Sequence, residues 1–210
     1  MGTDKTELLR EIADYYSDKL AEHGETPQGV DWNGSDSQVL RFEQLSKVIA
    51  DEDTPFSIMD LGCGYGALYE FLSPKYPQMS YLGLDVSEIM VEAAKARYAH
   101  PDRVDFLCAS QPDRVSDYCV ASGIFNVRQN RTDAEWGAFL ENTLDMIHES
   151  SARGFAFNCL TAYSDADKKR GYLYYADPCW LFDLCKRKYA RNIAVLHDYG
   201  LYEFTILVRK

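Results

Sequence analysis

Apolar residues fall at helical spacing over residues 6–22, where Leu8, Leu9, Ile12, Tyr15, Tyr16 and Leu20 share one side. A polar stretch follows, broken by Gly24, Pro27, Gly29 and Gly34, which marks a loop. Helical spacing returns at residues 38–51 with Val39, Leu40, Phe42, Leu45, Val48 and Ile49, and Ser35 or Asp36 stands where a cap belongs. The pattern then changes to short apolar runs. Residues 56–61 read as a strand that enters glycines at 62, 64 and 66, and Ala67, Leu68, Phe71 and Leu72 open a helix behind them. Residues 80–85 form a second strand ending on Asp85. Ser87 suits the N-cap of a helix over 88–98, and residues 103–108 and 117–123 give two more strands. Thr132 and Glu135 make a capping box for a helix over 133–149, before a strand at 152–160. Asp177-Pro178 is a cap followed by a first-turn proline, opening a helix over 178–189. Residues 191–199 and 201–209 pair as a hairpin about Tyr199-Gly200.

Strands alternating with helices imply an α/β chain with a mostly parallel sheet. The pattern predicts a Rossmann-like seven-stranded sheet with helices on both faces and one antiparallel strand supplied by the C-terminal hairpin. No repeat, linker or low-complexity tract divides the chain, so one domain is expected. Its parts would be a helical N-terminal segment (1–52), a core (56–160), an insertion (161–177) and a closing helix with hairpin (178–210).

Composition narrows the field. The chain of 210 residues is 46% hydrophobic, enough for one full core. A net charge of −11 argues against a nucleic-acid backbone as the main partner. That charge is uneven, with 14 acids and 5 bases in residues 1–60 but 6 acids and 9 bases in residues 161–210, the latter read as a solvated helix face. No apolar run approaches the roughly 20 residues of a membrane span, and no signal-peptide pattern opens the chain, so a cytoplasmic protein is expected. The myristoylation-like Met1-Gly2 start lies beside acids and is read as chance. The six cysteines lack Cys-x-x-Cys spacing, which implies free thiols in a reducing compartment and no structural zinc.

The glycine turn carries the chemistry. Glycines let the backbone bend sharply and let a ligand approach closely, and an acid ending the second strand can accept hydrogen bonds from ribose hydroxyls. Gly62-x-Gly64-x-x-Ala67 also fits a loose dinucleotide fingerprint. Asp60 argues the other way, because a carboxylate beside a diphosphate is repelled, whereas a ligand bearing an ammonium group is attracted.

Asp60-x-Gly62-x-Gly64-x-Gly66, followed by Asp85, resembles motifs I and II of the class I S-adenosylmethionine (SAM) dependent methyltransferases. The resemblance implies SAM as cofactor and S-adenosylhomocysteine as product. It implies cofactor contacts at Asp60, Gly62, Cys63, Gly64, Gly66, Asp85 and Val86. Ala109-Ser110 falls where the family often places a residue, commonly an acid, against the adenine amino group. Ser122 closes the fourth strand beside the same site. The leader, with His23-Gly24, Gly29-Val30-Asp31-Trp32 and Arg41-Phe42, resembles uncharacterised bacterial members in which such a segment is a lid. Arg41 is either a partner for the methionine carboxylate or half of a surface ion pair with Glu43 or Asp36. Trp32 is either a core anchor or part of the substrate wall.

The end of the fourth strand, Ser122-Gly123-Ile124-Phe125-Asn126, lacks the (Asp/Asn)-Pro-Pro-(Tyr/Phe) run of adenine amino-methyltransferases and the acid of magnesium-dependent catechol-type enzymes. A small molecule, or else a protein side chain, methylated at O, N, S or C is therefore expected, with no metal. SAM chemistry needs alignment and desolvation more than a strong base. Tyr15, Tyr16, Trp32 and Tyr65 are candidates to face a sulfonium. Tyr16, Trp32, Asn158 and Tyr163 are the expected substrate contacts, and His23 is the candidate base. His100 and His148 read as structural, and His197 lies in the penultimate strand. A monomer or homodimer is expected. The alternatives are a non-catalytic SAM-binding partner protein and a NAD(P)-dependent oxidoreductase.

Overall fold

The computed structural model describes residues 2–30, 32, 34–50, 54–98 and 103–210, with side chains from Thr6 onward. Met1, Asp31 and His100, each named from the sequence, lie outside the described residues, as does residue 51, the expected end of the second helix. The chain opens with α1 (Gly2–His23), a 3-10 turn (Pro27–Val30) and α2 (Ser35–Ser46). The alternating part follows: β1 (Ser57–Leu61), α3 (Ala67–Leu72), β2 (Ser80–Asp85), α4 (Glu88–Arg97) and β3 (Val104–Cys108). Next come β4 (Ser116–Ala121), α5 (Asp133–Glu149), β5 (Ser151–Leu160), α6 (Pro178–Lys188), β6 (Asn192–Leu196) and β7 (Glu203–Arg209).

The seven strands form one sheet in the order β3-β2-β1-β4-β5-β7-β6. Strands β1 to β5 pair in parallel, while β7 runs antiparallel to both β5 and β6. The expected Rossmann-like sheet with one reversed strand is the one observed. Residues facing opposite sides of the strands alternate into two cores. On one face Met59, Leu84, Cys119 and Phe157 pack with α5 and α6 through Leu140, Leu144 and Leu181. On the other face Ile58, Tyr81, Val120 and Ala156 pack with α2, α3 and α4 through Leu45, Leu72 and Val91. After β1 the chain winds outward to β3 and then returns to β4 on the far side of β1. Beyond the carboxyl ends of β1 and β4 this reversal leaves a crevice, the usual ligand position in such sheets.

The local signals behave as the residues dictate. Ser87 Oγ accepts from the Met90 amide, Thr132 and Glu135 form the reciprocal capping box, and Asp177 caps α6 with Pro178 at its first position. Three expectations need correction. Neither Ser35 nor Asp36 caps α2, because the helix starts at Ser35 behind Gly34, and Ser37 Oγ donates to the Gly34 carbonyl at 2.9 Å. That helix also stops at Ser46, where the amides of Lys47, Val48 and Ile49 switch to carbonyls three residues back. The hairpin turn is wider than Tyr199-Gly200. Tyr199 OH lies 3.1 Å from Thr205 Oγ1, folding the chain back early, so His197 falls past β6 with its ring near Tyr163 and Phe204.

Candidate active site

The buried strand β1 carries Asp60 to the crevice and hands over to the glycine loop. The amides of Gly62 and Cys63 both donate to the Leu84 carbonyl, at 2.8 and 2.9 Å, which latches the loop to the end of β2. Gly62 sits at φ 77°, and a Cβ there would lie 2.3 Å from Ile124 Cγ2, so only glycine fits between β1 and the loop after β4. The loop then reaches across to the second acid. Gly64 N donates to Asp85 Oδ2 and Ser87 N to Asp85 Oδ1, each at 2.9 Å. Both carboxylate oxygens are thereby oriented, and each keeps a lone pair for a further donor.

Asp60 is 2% exposed. Tyr81 OH donates to its Oδ2 at 2.5 Å, while Oδ1 is buried without a partner at the cavity wall. Desolvation pushes this carboxyl up to about 7; the Tyr81 hydrogen bond opposes the shift and the charge of Asp85 adds to it. Desolvation also raises Asp85, against the pull of the two backbone amides and that of Val86. Ser122 Oγ is a second buried, unpartnered polar atom on the cavity wall. Orphaned polar atoms of this kind are costly unless something completes them. A carboxylate oxygen asks for a cation or donor, and a hydroxyl asks for either.

The cavity measures about 130 Å³. Asp60, Gly62, Cys63, Gly64, Asp85 and Val86 line it from the first half of the sheet. Ala109, Ser110 and Ser122 join from the ends of β3 and β4. Tyr16 and Trp32 close it from the N-terminal segment. Burial, with the charges of Asp85 and Asp60, lifts the Cys63 thiol well above its usual range, so it lines the cavity as a small apolar group.

Five expected site residues lie elsewhere. Gly66 sits behind the loop as the N-cap of α3, at φ 86°. His23 falls in the last turn of α1, which runs on until left-handed Gly24, and faces Glu22 at 3.6 Å. Tyr163 is 69% exposed, beside His197. Asn158 is fully buried under the crevice: its Oδ1 accepts from Gly123 N at 2.8 Å and its Nδ2 donates to Glu203 Oε2 at 2.6 Å. Arg41 is neither at the cavity nor in a surface pair with Glu43 or Asp36. It is buried in a two-pronged ion pair with Glu203, at 2.7 and 2.5 Å, with its guanidinium 3.8 Å from the centre of the Trp32 ring. Trp32 in turn lies so close to Gly123 that a Cβ there would meet the ring at 2.5 Å. His148, at the end of α5, has its ring against Phe155 and Tyr189, away from the cavity.

Other cavity walls were not marked as such by their own residues. Leu9 and Ile12 of α1 and Phe42 of α2 were legible as apolar, but not as facing a site. Phe139, Asn142, Thr143 and Met146 of α5 form a side wall. The seven residues that join β3 and β4, 109–115, have no helix to stand between them and it. The proline and polar residues of that stretch, with no apolar period, were the available signal.

Comparison with known proteins follows the same lines. Residues 58–149 match the family described as "Methyltransferase domain". The Mycobacterium tuberculosis protein named "Putative methyltransferase Rv1506c" is 60% identical over 162 residues, which is 77% of this chain and 98% of that protein. Among solved structures, the "DhpI-SAM-HEP complex" superposes with a TM-score of 0.66 at 16% identity, covering 97% of this chain and 98% of the other. A SAM-dependent methyltransferase from Leishmania major gives 0.64 at 17% identity, covering 97% and 83%. These two likenesses are of fold.

Proposed function

The chain belongs to the class I SAM-dependent methyltransferases, and on that premise we propose that it methylates a small-molecule acceptor at O, N, S or C, releasing S-adenosylhomocysteine. The observation that carries this reading is the unpartnered, buried Oδ1 of Asp60 facing the same cavity as the held carboxylate of Asp85. Asp60 suits the ammonium of the methionine moiety, and Asp85 suits the two ribose hydroxyls. Val86, Ala109 and Ser110, which line the same cavity, suit the purine, and Ser122 Oγ suits a further polar contact to the cofactor.

When bound, SAM supplies a methyl group on a cationic sulfur that an acceptor lone pair can take without prior activation. The chain's own contribution is to orient and to exclude water. Leu9, Ile12, Tyr16, Val30 and Trp32 cover the cavity, which supports residues 1–52 acting as a lid. With His23 outside the cavity, no general base is assigned. Among the described residues of the lining, Asp60, Asp85, Cys63 and Tyr16 are the ones that can titrate, and both acids suit the cofactor. The dinucleotide alternative would press a diphosphate against Asp60, at a repulsive cost in a dry site. Among the described residues no helix is long and apolar enough to cross a membrane. Free thiols at all six cysteines suit a reducing, cytoplasmic setting.

Calorimetry with SAM, S-adenosylhomocysteine and NAD tests the assignment. Heat of binding with the first two and none with NAD is expected. Micromolar binding of NAD with none of SAM refutes it.

A further inference from the structure

Beyond the cofactor, the cavity has a second chemical character. The N-terminal segment lines it with Leu9, Ile12, Tyr16, Trp32 and Phe42. Gln38, Asn142 and Thr143 also line it and carry no charge. Among the described residues no Lys, Arg or His lines the cavity, and its two charges are both carboxylates. Arg41 stands against the Trp32 ring and is neutralised by Glu203. Trp32 itself is wedged between that guanidinium and the backbone of Gly123, so the aromatic wall is rigidly backed.

An anionic acceptor entering this space would lose its hydration and find no basic side chain, and the cofactor's sulfonium beside it would lose its charge as the methyl transfers. Burying an unpaired charge costs far more than any apolar contact returns. An apolar acceptor would instead cover aromatic and aliphatic surface at about 25 cal/mol per Å². We infer that the acceptor is a neutral, largely apolar small molecule seated against Trp32, Tyr16 and Ile12, rather than a phosphorylated or carboxylate-bearing metabolite. The inference rests on the cofactor occupying the Asp60–Asp85 end.

Two fluorescent probes with one ring skeleton test it: neutral N-phenyl-1-naphthylamine and its anionic 8-sulfonate. The full chain, saturated with S-adenosylhomocysteine at pH 8, is titrated with each. The neutral probe should bind about tenfold tighter or more, since the sulfonate would bury an unpaired charge. Trp32→Ala should weaken the neutral probe, and Ile12→Lys should narrow the ratio by about threefold or more by supplying the missing cation. Equal or tighter binding of the sulfonate overturns the inference, as does failure of both probes to bind the loaded protein. Calorimetry on the same samples separates the two layers. Absence of S-adenosylhomocysteine binding overturns the cofactor reading, whereas a ratio near one with the nucleoside bound overturns only the acceptor class.

Discussion

Asp60 should make the ligand-free protein less stable as pH rises, and Asp60→Asn should remove that loss. The carboxyl is fully buried, with a pKa of about 7 against an ordinary 3.8. A raised acid in the folded state holds its proton longer than the unfolded chain does. Below pH 4 both states are protonated and no cost arises. Between pH 4 and 7 the unfolded chain ionises first, so folding loses stability with rising pH, and above 7 the loss is constant. At 1.36 kcal/mol for each pH unit across that window, the loss is about 4 kcal/mol as an upper limit. The asparagine amide carries no charge to desolvate, and its oxygen can still accept from Tyr81 OH. Urea unfolding of the ligand-free chain and of the variant should therefore differ little near pH 4.5. At pH 8 the variant should be more stable by up to about 4 kcal/mol, or about 10 °C in Tm. Saturating S-adenosylhomocysteine should shift the wild type upward more than the variant, because only a carboxylate is offset by an ammonium. A stability difference that does not change with pH, or a variant less stable at pH 8, would refute the reasoning. Confirmation would mean that a destabilising acid is retained at the cavity, as expected where function and stability compete.

Three further changes probe the scaffold. Gly62→Ala puts a Cβ 2.3 Å from Ile124 Cγ2 at a left-handed φ of 77°, so calorimetry should show S-adenosylhomocysteine affinity down by about tenfold or more with circular dichroism unchanged. Arg41→Met leaves Glu203 buried and charged, and should cost about 3–5 kcal/mol in urea unfolding, whereas the Arg41→Met/Glu203→Leu pair should recover much of it. Strict additivity of the two single changes would deny the coupling. Thr132→Ala removes the capping box of α5 and should lower stability by about 1 kcal/mol, seen as a Tm lower by about 3 °C; an unchanged Tm would mean the cap is redundant.

What could be read from the residues was what depends on short-range chemistry. The strand feeding Gly62, the Ser87 and Thr132 caps, the Asp177-Pro178 start of α6 and the reversed closing strand are each set by neighbours a few positions apart. The clustering of Asp60, Gly64 and Asp85 was legible because a βαβ turn brings those positions together whatever the rest of the chain does. The remainder depends on contacts between distant segments. Arg41 meets Glu203 from 162 positions away, and nothing near Arg41 marks it as buried rather than exposed. Asn158 looked like a strand-end contact, yet the β5–β7 pairing turns it beneath the crevice toward Gly123 and Glu203. Four residues of α5 line the cavity, and the β3–β4 connection has no helix of its own to stand between them and it. His23 missed it because α1 continues to its last turn there, a boundary that periodicity places only to within a residue or two.

The most direct test is a crystal structure of the chain grown with S-adenosylhomocysteine. The amino nitrogen should lie within about 3 Å of Asp60 Oδ1, and the ribose hydroxyls within hydrogen-bonding reach of Asp85. Nucleoside density outside this cavity, or a ligand whose carboxylate rather than its amine meets Asp60, would contradict the account.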